Sequence, residues 1–162
     1  MIQAITGTNF KVFLQTEDNR IDTSVAKTQI RHLFKFTNDM DKSIVYAYAT
    51  NQNIENRYTY FSFLYNATPD IYLGRVDLKP AGYWKYEVYE VSWAFKQNIN
   101  VSSGFAPATE TDVLSPAASN KGVVQGLVTK GKMYVADATG TAQVQYNQYV
   151  EPTTTNYIYY GQ

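Results

Sequence analysis

With 162 residues, the chain can bury roughly 70% of its unfolded surface, which fits one domain over 1–162 and excludes multidomain machinery. Its 14 Lys and Arg balance 14 Asp and Glu, so no net field draws nucleic acid or an anionic membrane by charge alone. The lack of Cys excludes disulfides, thiolate chemistry and Cys-ligated zinc, and a lone His32 excludes a multi-histidine metal site.

Asn, Gln, Thr and Ser supply 47 of the 162 residues, an amide- and hydroxyl-rich surface on which affinity must come from shape and polar contacts. No apolar run approaches the ~20 residues that span a bilayer, and the N-terminus lacks the basic and apolar blocks of a signal peptide. The chain reads as soluble and uncleaved. Aromatic residues make up 15% of it and suit a pleated, half-buried surface better than a helix, which predicts an all-β protein.

In chain order, strand signals cover 9–16, 28–38, 43–50, 57–66, 71–77, 83–95, 127–136 and 142–150, and strands with short turns make a sandwich or barrel. In the second, Ile30, His32, Phe34 and Phe36 share one face, which sets His32 among apolar neighbours. Residues 37–42 read as the turn of a hairpin to 43–50. In 57–66, Phe61, Phe63 and Tyr65 oppose Tyr58, Tyr60 and Leu64, so both faces are apolar and this strand is expected to be central and covered on both sides. Along 83–95 the apolar residues Trp84, Tyr86 and Val88 are even-numbered, whereas Val91, Trp93 and Phe95 are odd-numbered. This parity change predicts a β-bulge or a move between sheets near Tyr89-Glu90. Pro80 and Gly82 mark the turn that starts the strand.

Residues 98–122 form a long loop with little periodicity, which must be functional or lie across another surface. A C-terminal hairpin over 123–150 follows, with Met133 and Val135 facing Val144 and Tyr146. The tail 151–162 carries three aromatics and an Ile, too sticky for a free end.

Catalytic constellations are sparse. Ser or Thr nucleophiles need a base partner, and His32 sits in a strand as a core-edge residue with one hydrogen-bond partner. Gly131-Lys132 lacks the upstream glycines of a phosphate loop. Asn38-Asp39-Met40-Asp41 suits a turn better than a calcium loop. The carboxylates Glu17-Asp18, Asp39/Asp41, Glu87/Glu90 and Glu110/Asp112 carry no specific spacing, and alternation puts Glu87 on a solvated face. A hydrolase would need Glu87 or Glu90 to face a second carboxylate across a cleft. Asn66-Ala67-Thr68 and Asn100-Val101-Ser102 read as chance matches to a glycosylation triplet. The residues thus offer no catalytic set and no metal site.

The stretch from Leu78-Lys79-Pro80-Ala81-Gly82-Tyr83 to Tyr89 resembles the turn and strand of immunoglobulin-like and fibronectin-type sandwiches, departing by Ala81 between Pro80 and Gly82. Together with Phe34 to Asp39, Asn53 to Tyr58, Gly82 to Glu90 and Gly131 to Val135, it resembles small virion proteins of tailed phages, including the crAss-like group, described as auxiliary capsid or head-decoration proteins. The likeness spans roughly residues 9–150. It implies an immunoglobulin-like antiparallel β-sandwich on the outer capsid surface, with no enzyme activity and no cofactor, bound to the major capsid protein or other virion proteins, with self-association an option and neither nucleic acid nor membrane as partner. Stable attachment takes roughly 1,200–2,000 Å² of interface. Phe105, Leu114, Tyr157, Ile158 and Tyr159 are the expected anchors, since aromatic anchors carry much of the binding energy. The alternative is a glycan- or receptor-binding module of a phage fibre or bacterial surface protein, which predicts a shallow aromatic patch flanked by Asn or Gln.

Overall fold

A computed structural model describes residues 1–55, 57–95, 99–114 and 121–138. The chain is all-β and folds as a two-sheet sandwich. In order the strands are β1 (Ile2–Ile5), β2 (Phe10–Leu14), β3 (Ile30–Asn38), β4 (Ile44–Tyr48), β5 (Asn51–Ile54), β6 (Thr59–Tyr65), β7 (Arg75–Val76), β8 (Gly82–Ser92) and β9 (Val123–Ala136). One sheet runs β1-β9-β8-β3-β4 and the other β2-β6-β5, with β7 against β6. The orders β9-β8-β3-β4 and β2-β6-β5 reproduce the G-F-C-C′ and B-E-D strands of an immunoglobulin-like sandwich. Most pairs are antiparallel, but β1 joins β9, and β7 joins β6, in parallel.

The inward faces follow from side-chain alternation. Phe10, Val12, Phe34, Phe36, Phe61, Phe63, Trp84, Tyr86, Val88, Met133 and Val135 meet between the sheets. Their rings lock by geometry: Phe34 meets Phe61 and Phe63 edge-on at 4.8 and 4.9 Å, and Phe10 stacks on Phe63 at 5.1 Å. Offset and edge-on pairs add about 0.5–1.5 kcal/mol each beyond burial. Gly131 lies opposite Tyr86, whose ring fills the space of a side chain: a Cβ there would sit 2.6 Å from the Tyr86 hydroxyl. That accounts for the glycine without any phosphate.

Several expectations change. Strand β1 and the Asn/Gln-rich β5 carry weak strand signals, yet both form because neighbours supply a ladder. The 71–77 signal is mostly turn, and only Arg75–Val76 pairs. Strand β9 starts at Val123, and its flank along Met133–Ala136 is taken by β1. The expected return strand 142–150 and the tail lie outside the described residues. Strand β6 is central, but only one face is covered, since Tyr58 and Leu64 are exposed.

Register shifts do fall between Val88 and Tyr89 and between Glu90 and Val91. Their extra residues, however, are in β9: Thr129 and Leu127 face consecutive β8 residues, and so do Gly126 and Val124. Strand β8 keeps strict alternation, with Trp84, Tyr86, Val88, Glu90 and Ser92 all buried on one side. Its apolar parity changes because the opposite face is buried too. Leu33, Tyr48, Val91, Trp93 and Ala106 form a second core outside the large sheet, with Ile99 and Val101 against it. The long loop therefore lies as a strap across the sheet.

Candidate functional site

Cross-strand register orders the outer face of the large sheet into rows. At one end, Leu33, Tyr48, Tyr89 and Val91 lie under the strap. The next row carries Lys130, Glu87, Lys35 and Tyr46. Lys35 Nζ lies 2.5 Å from Glu110 and 3.6 Å from Glu87, and the Tyr46 hydroxyl donates to Glu110 at 2.5 Å. Tyr48 donates to the Pro107 carbonyl at 2.7 Å, and Asp112 accepts from the Ala108 and Thr109 amides. These bonds clasp the strap. The Glu110 bond holds Lys35 protonated above the usual lysine range. Burial and the Glu110 bond push Tyr46 up to about 12. Burial opposes ionisation of Glu110, but its bonds to Lys35 and Tyr46 outweigh that and hold the carboxyl low. Glu87 is thus half-buried in a clasp and not on an open solvated face.

Glu90 points the other way on β8, accepting from the Ile21 and Asp22 amides at 3.0 and 2.7 Å. Glu87 and Glu90 consequently serve opposite faces. The second carboxylate beside Glu87 is Glu110, with the Lys35 ammonium 2.5 Å from Glu110 and 3.6 Å from Glu87, an arrangement that suits a clasp.

His32 is buried and meets Phe61 edge-on at 5.4 Å, with Nδ1 3.1 Å from the Gln52 amide oxygen. Burial drives its pKa down to about 4, so the neutral ring donates that bond. Asn38 Oδ1 accepts from the Met40 and Asp41 amides, and Asp41 from Ser43, which is turn chemistry. Among the described residues no three His, Asp or Glu gather to hold a metal.

Among the described residues, the outer face beyond the strap is exposed. Lys132 lies directly opposite Lys85, and Tyr134 opposite Tyr83 with ring centroids 5.1 Å apart. Tyr83 is 56% and Tyr134 39% exposed, and Gln3 and exposed Ile5 continue the face onto β1. The second sheet presents another open face, with Phe13 and Asn53 both opposite Tyr60 and Lys11 and Asn51 both opposite Ser62. Phe13 stacks on Tyr60 and meets Tyr58 edge-on, both at 5.6 Å, and Lys11 lies 5.4 Å from the Tyr60 ring centre. Lys11, Phe13, Glu55, Tyr58 and Tyr60 line a shallow depression of about 270 Å³.

Of the expected anchors, Phe105 and Leu114 are half-buried at the strap, and Tyr157, Ile158 and Tyr159 lie outside the described residues. Sequence reasoning assigned no role to Phe13, Lys85, Lys132 or Tyr134. The alternation of Tyr and Lys was visible, but which rows meet across strands was not.

Comparison with protein-family models, curated proteins and solved structures finds no match to this chain.

Proposed function

We propose that this chain is a non-enzymatic structural protein of a virion, an auxiliary capsid protein that docks on the major capsid protein and decorates the head. The sequence resemblance supplies the assembly, and one observation carries the docking: the Lys85–Lys132 pair beside Tyr83 and Tyr134 on the open end of the large sheet. Like charges directly opposite in a sheet are destabilising, by about 0.2–1 kcal/mol on the scale of such pairs, so an acidic group of a partner seated between them would relieve repulsion while the two tyrosines bury area. Lys85 also lies 3.6 Å from Asp39, which leaves Lys132 as the better contact for the partner.

The test is incorporation into particles. Lys132→Glu with Tyr134→Ala should keep the thermal midpoint of the free protein and lower its copy number per particle, read by mass spectrometry against the major capsid protein. Unchanged incorporation would remove this face as the docking surface. Absence of the wild-type protein from purified particles would remove the virion reading.

A second reading, a glycan- or receptor-binding module, is favoured by the aromatic depression on the other sheet, beside which Asn53 lies opposite Tyr60 and bonds to Glu55.

A further inference from the structure

The outer face of β2-β6-β5 rests its polar and apolar groups in a pattern that selects a ligand class. Phe13 is 59% and Tyr58 45% exposed, in a fold that buries Phe10, Phe34, Phe36, Phe61 and Phe63. The exposed rings are also mutually ordered. Phe13 and Tyr60 lie within 26° of parallel, and Tyr58 stands at 68° to Phe13, which gives the depression a flat side and a wall. Large exposed aromatic groupings with a polar rim mark binding sites.

Size and charge narrow the occupant. At about 270 Å³ the depression falls below the roughly 300–1,000 Å³ of pockets that enclose drug-sized ligands, so it fits one compact ring seated on an open surface. Its lining holds one cation, Lys11, and one anion, Glu55, which leaves a neutral ligand the best matched. A polyanion such as single-stranded nucleic acid also stacks on aromatics, but it needs a positively charged groove. The rim supplies hydroxyl-binding groups. Asn53 Nδ2 donates to Glu55 Oε1 at 2.6 Å, which orients both side chains, Asn53 lies opposite Tyr60 in register, and the Lys11 ammonium lies over the Tyr60 ring at 5.4 Å, so that the Asn53 oxygen is an acceptor and the ammonium a donor for ligand hydroxyls. A pyranose has the complementary shape: an apolar C–H face with hydroxyls around its perimeter.

We infer that Phe13, Tyr58 and Tyr60, rimmed by Lys11, Asn53 and Glu55, form a binding site for a single neutral pyranose unit of a glycan. This inference rests on the second reading above and gives it a location; it is independent of the docking face on the large sheet. Since few atoms are engaged and no water is displaced from a deep cavity, affinity for a monosaccharide falls in the millimolar range.

The experiment is a ¹H–¹⁵N NMR titration of the full chain with methyl β-glucoside, methyl β-galactoside and N-acetylglucosamine, with oligo(dT) as the polyanion control. The expected result is saturable shifts confined to residues 11–13 and 53–62 with at least one sugar. Phe13→Ala and Tyr58→Ala are each expected to weaken binding about tenfold, while the protein stays folded with its thermal midpoint lowered by only a few degrees, since each change removes one or two ring pairs of an exposed side chain and leaves the core intact. Sugar-induced shifts elsewhere, untouched by Phe13→Ala, would overturn this site while leaving glycan binding standing. No shift with any of the three sugars, together with a blank glycan array, would overturn both. Salt-sensitive shifts at these residues with oligo(dT) alone would replace the sugar by a nucleobase.

Discussion

His32 and Gln52 show how a single side chain can finish a sheet. Strand β4 stops pairing at the level of Leu33, which leaves the next groups of β3 without a strand beside them. The Gln52 carboxamide takes its place: Oε1 accepts from the His32 amide at 3.2 Å, and Nε2 donates to the Ile30 carbonyl at 3.1 Å. Removing it in Gln52→Ala strands buried backbone groups, and chemical denaturation should record a loss of about 2–3 kcal/mol. His32 then makes stability depend on acid. Its folded pKa of about 4 lies below the ordinary 6.5, so the unfolded chain binds more protons between those values. Stability that is complete above pH 6.5 therefore falls as pH drops toward 4, by up to about 3 kcal/mol. Urea midpoints measured from pH 7 to 5 should decline in the wild type and stay nearly level in His32→Gln, which keeps a donor toward Gln52. Equal slopes in the two proteins would assign the acid sensitivity elsewhere.

At the scale of elements, the strap over 99–114 closes the second core. Its inner side buries Ala106 against Trp93 and Val91, while its end is fixed by Glu110 and Asp112. The Lys35 and Glu110 side chains are mostly buried, so their pair keeps more of its strength than a surface ion pair would. Glu110→Gln should raise proteolytic cleavage within the strap several-fold while the two-sheet core stays protected from hydrogen exchange. The sign of the pH effect follows from the lowered carboxyl. Docking of the strap is complete above the usual glutamate value of 4.5 and is lost as pH falls through the lower folded value. Strap protection that is level from pH 7 down to 3 would show that the apolar contacts alone hold it.

Among the described residues the whole molecule thus shows two cores separated by one sheet, and each contains one tryptophan. Trp84 belongs to the larger core between the sheets and Trp93 to the smaller one under the strap. Because the smaller core buries far fewer side chains, it should open first. In Trp84→Phe, fluorescence reports Trp93 and should shift at lower urea than in Trp93→Phe, which reports Trp84. Coincident transitions would mean that strap and sandwich unfold as one unit. The same division bears on function. Among the described residues, the strap covers one end of the large sheet, while that sheet's Lys85–Lys132 and Tyr83–Tyr134 rows and the second sheet's Phe13 face, on which the two proposals rest, stay exposed.

Sequence alone determined the all-β class, the central place of 57–66, the turn at 37–42, the core-edge role of His32 and the location of the register shifts. Each rests on local alternation or turn chemistry, which neighbouring residues specify between themselves. The pairing of β1 with β9, the existence of β5, the strand that carries the bulges and the two exposed faces were decided only by tertiary structure. A parity change reads the same whether a strand bulges or its second face is buried by a distant loop. Likewise, an alternating Tyr or Lys acquires its meaning only from the residue that register sets opposite it, and register is a property of two strands far apart in the chain.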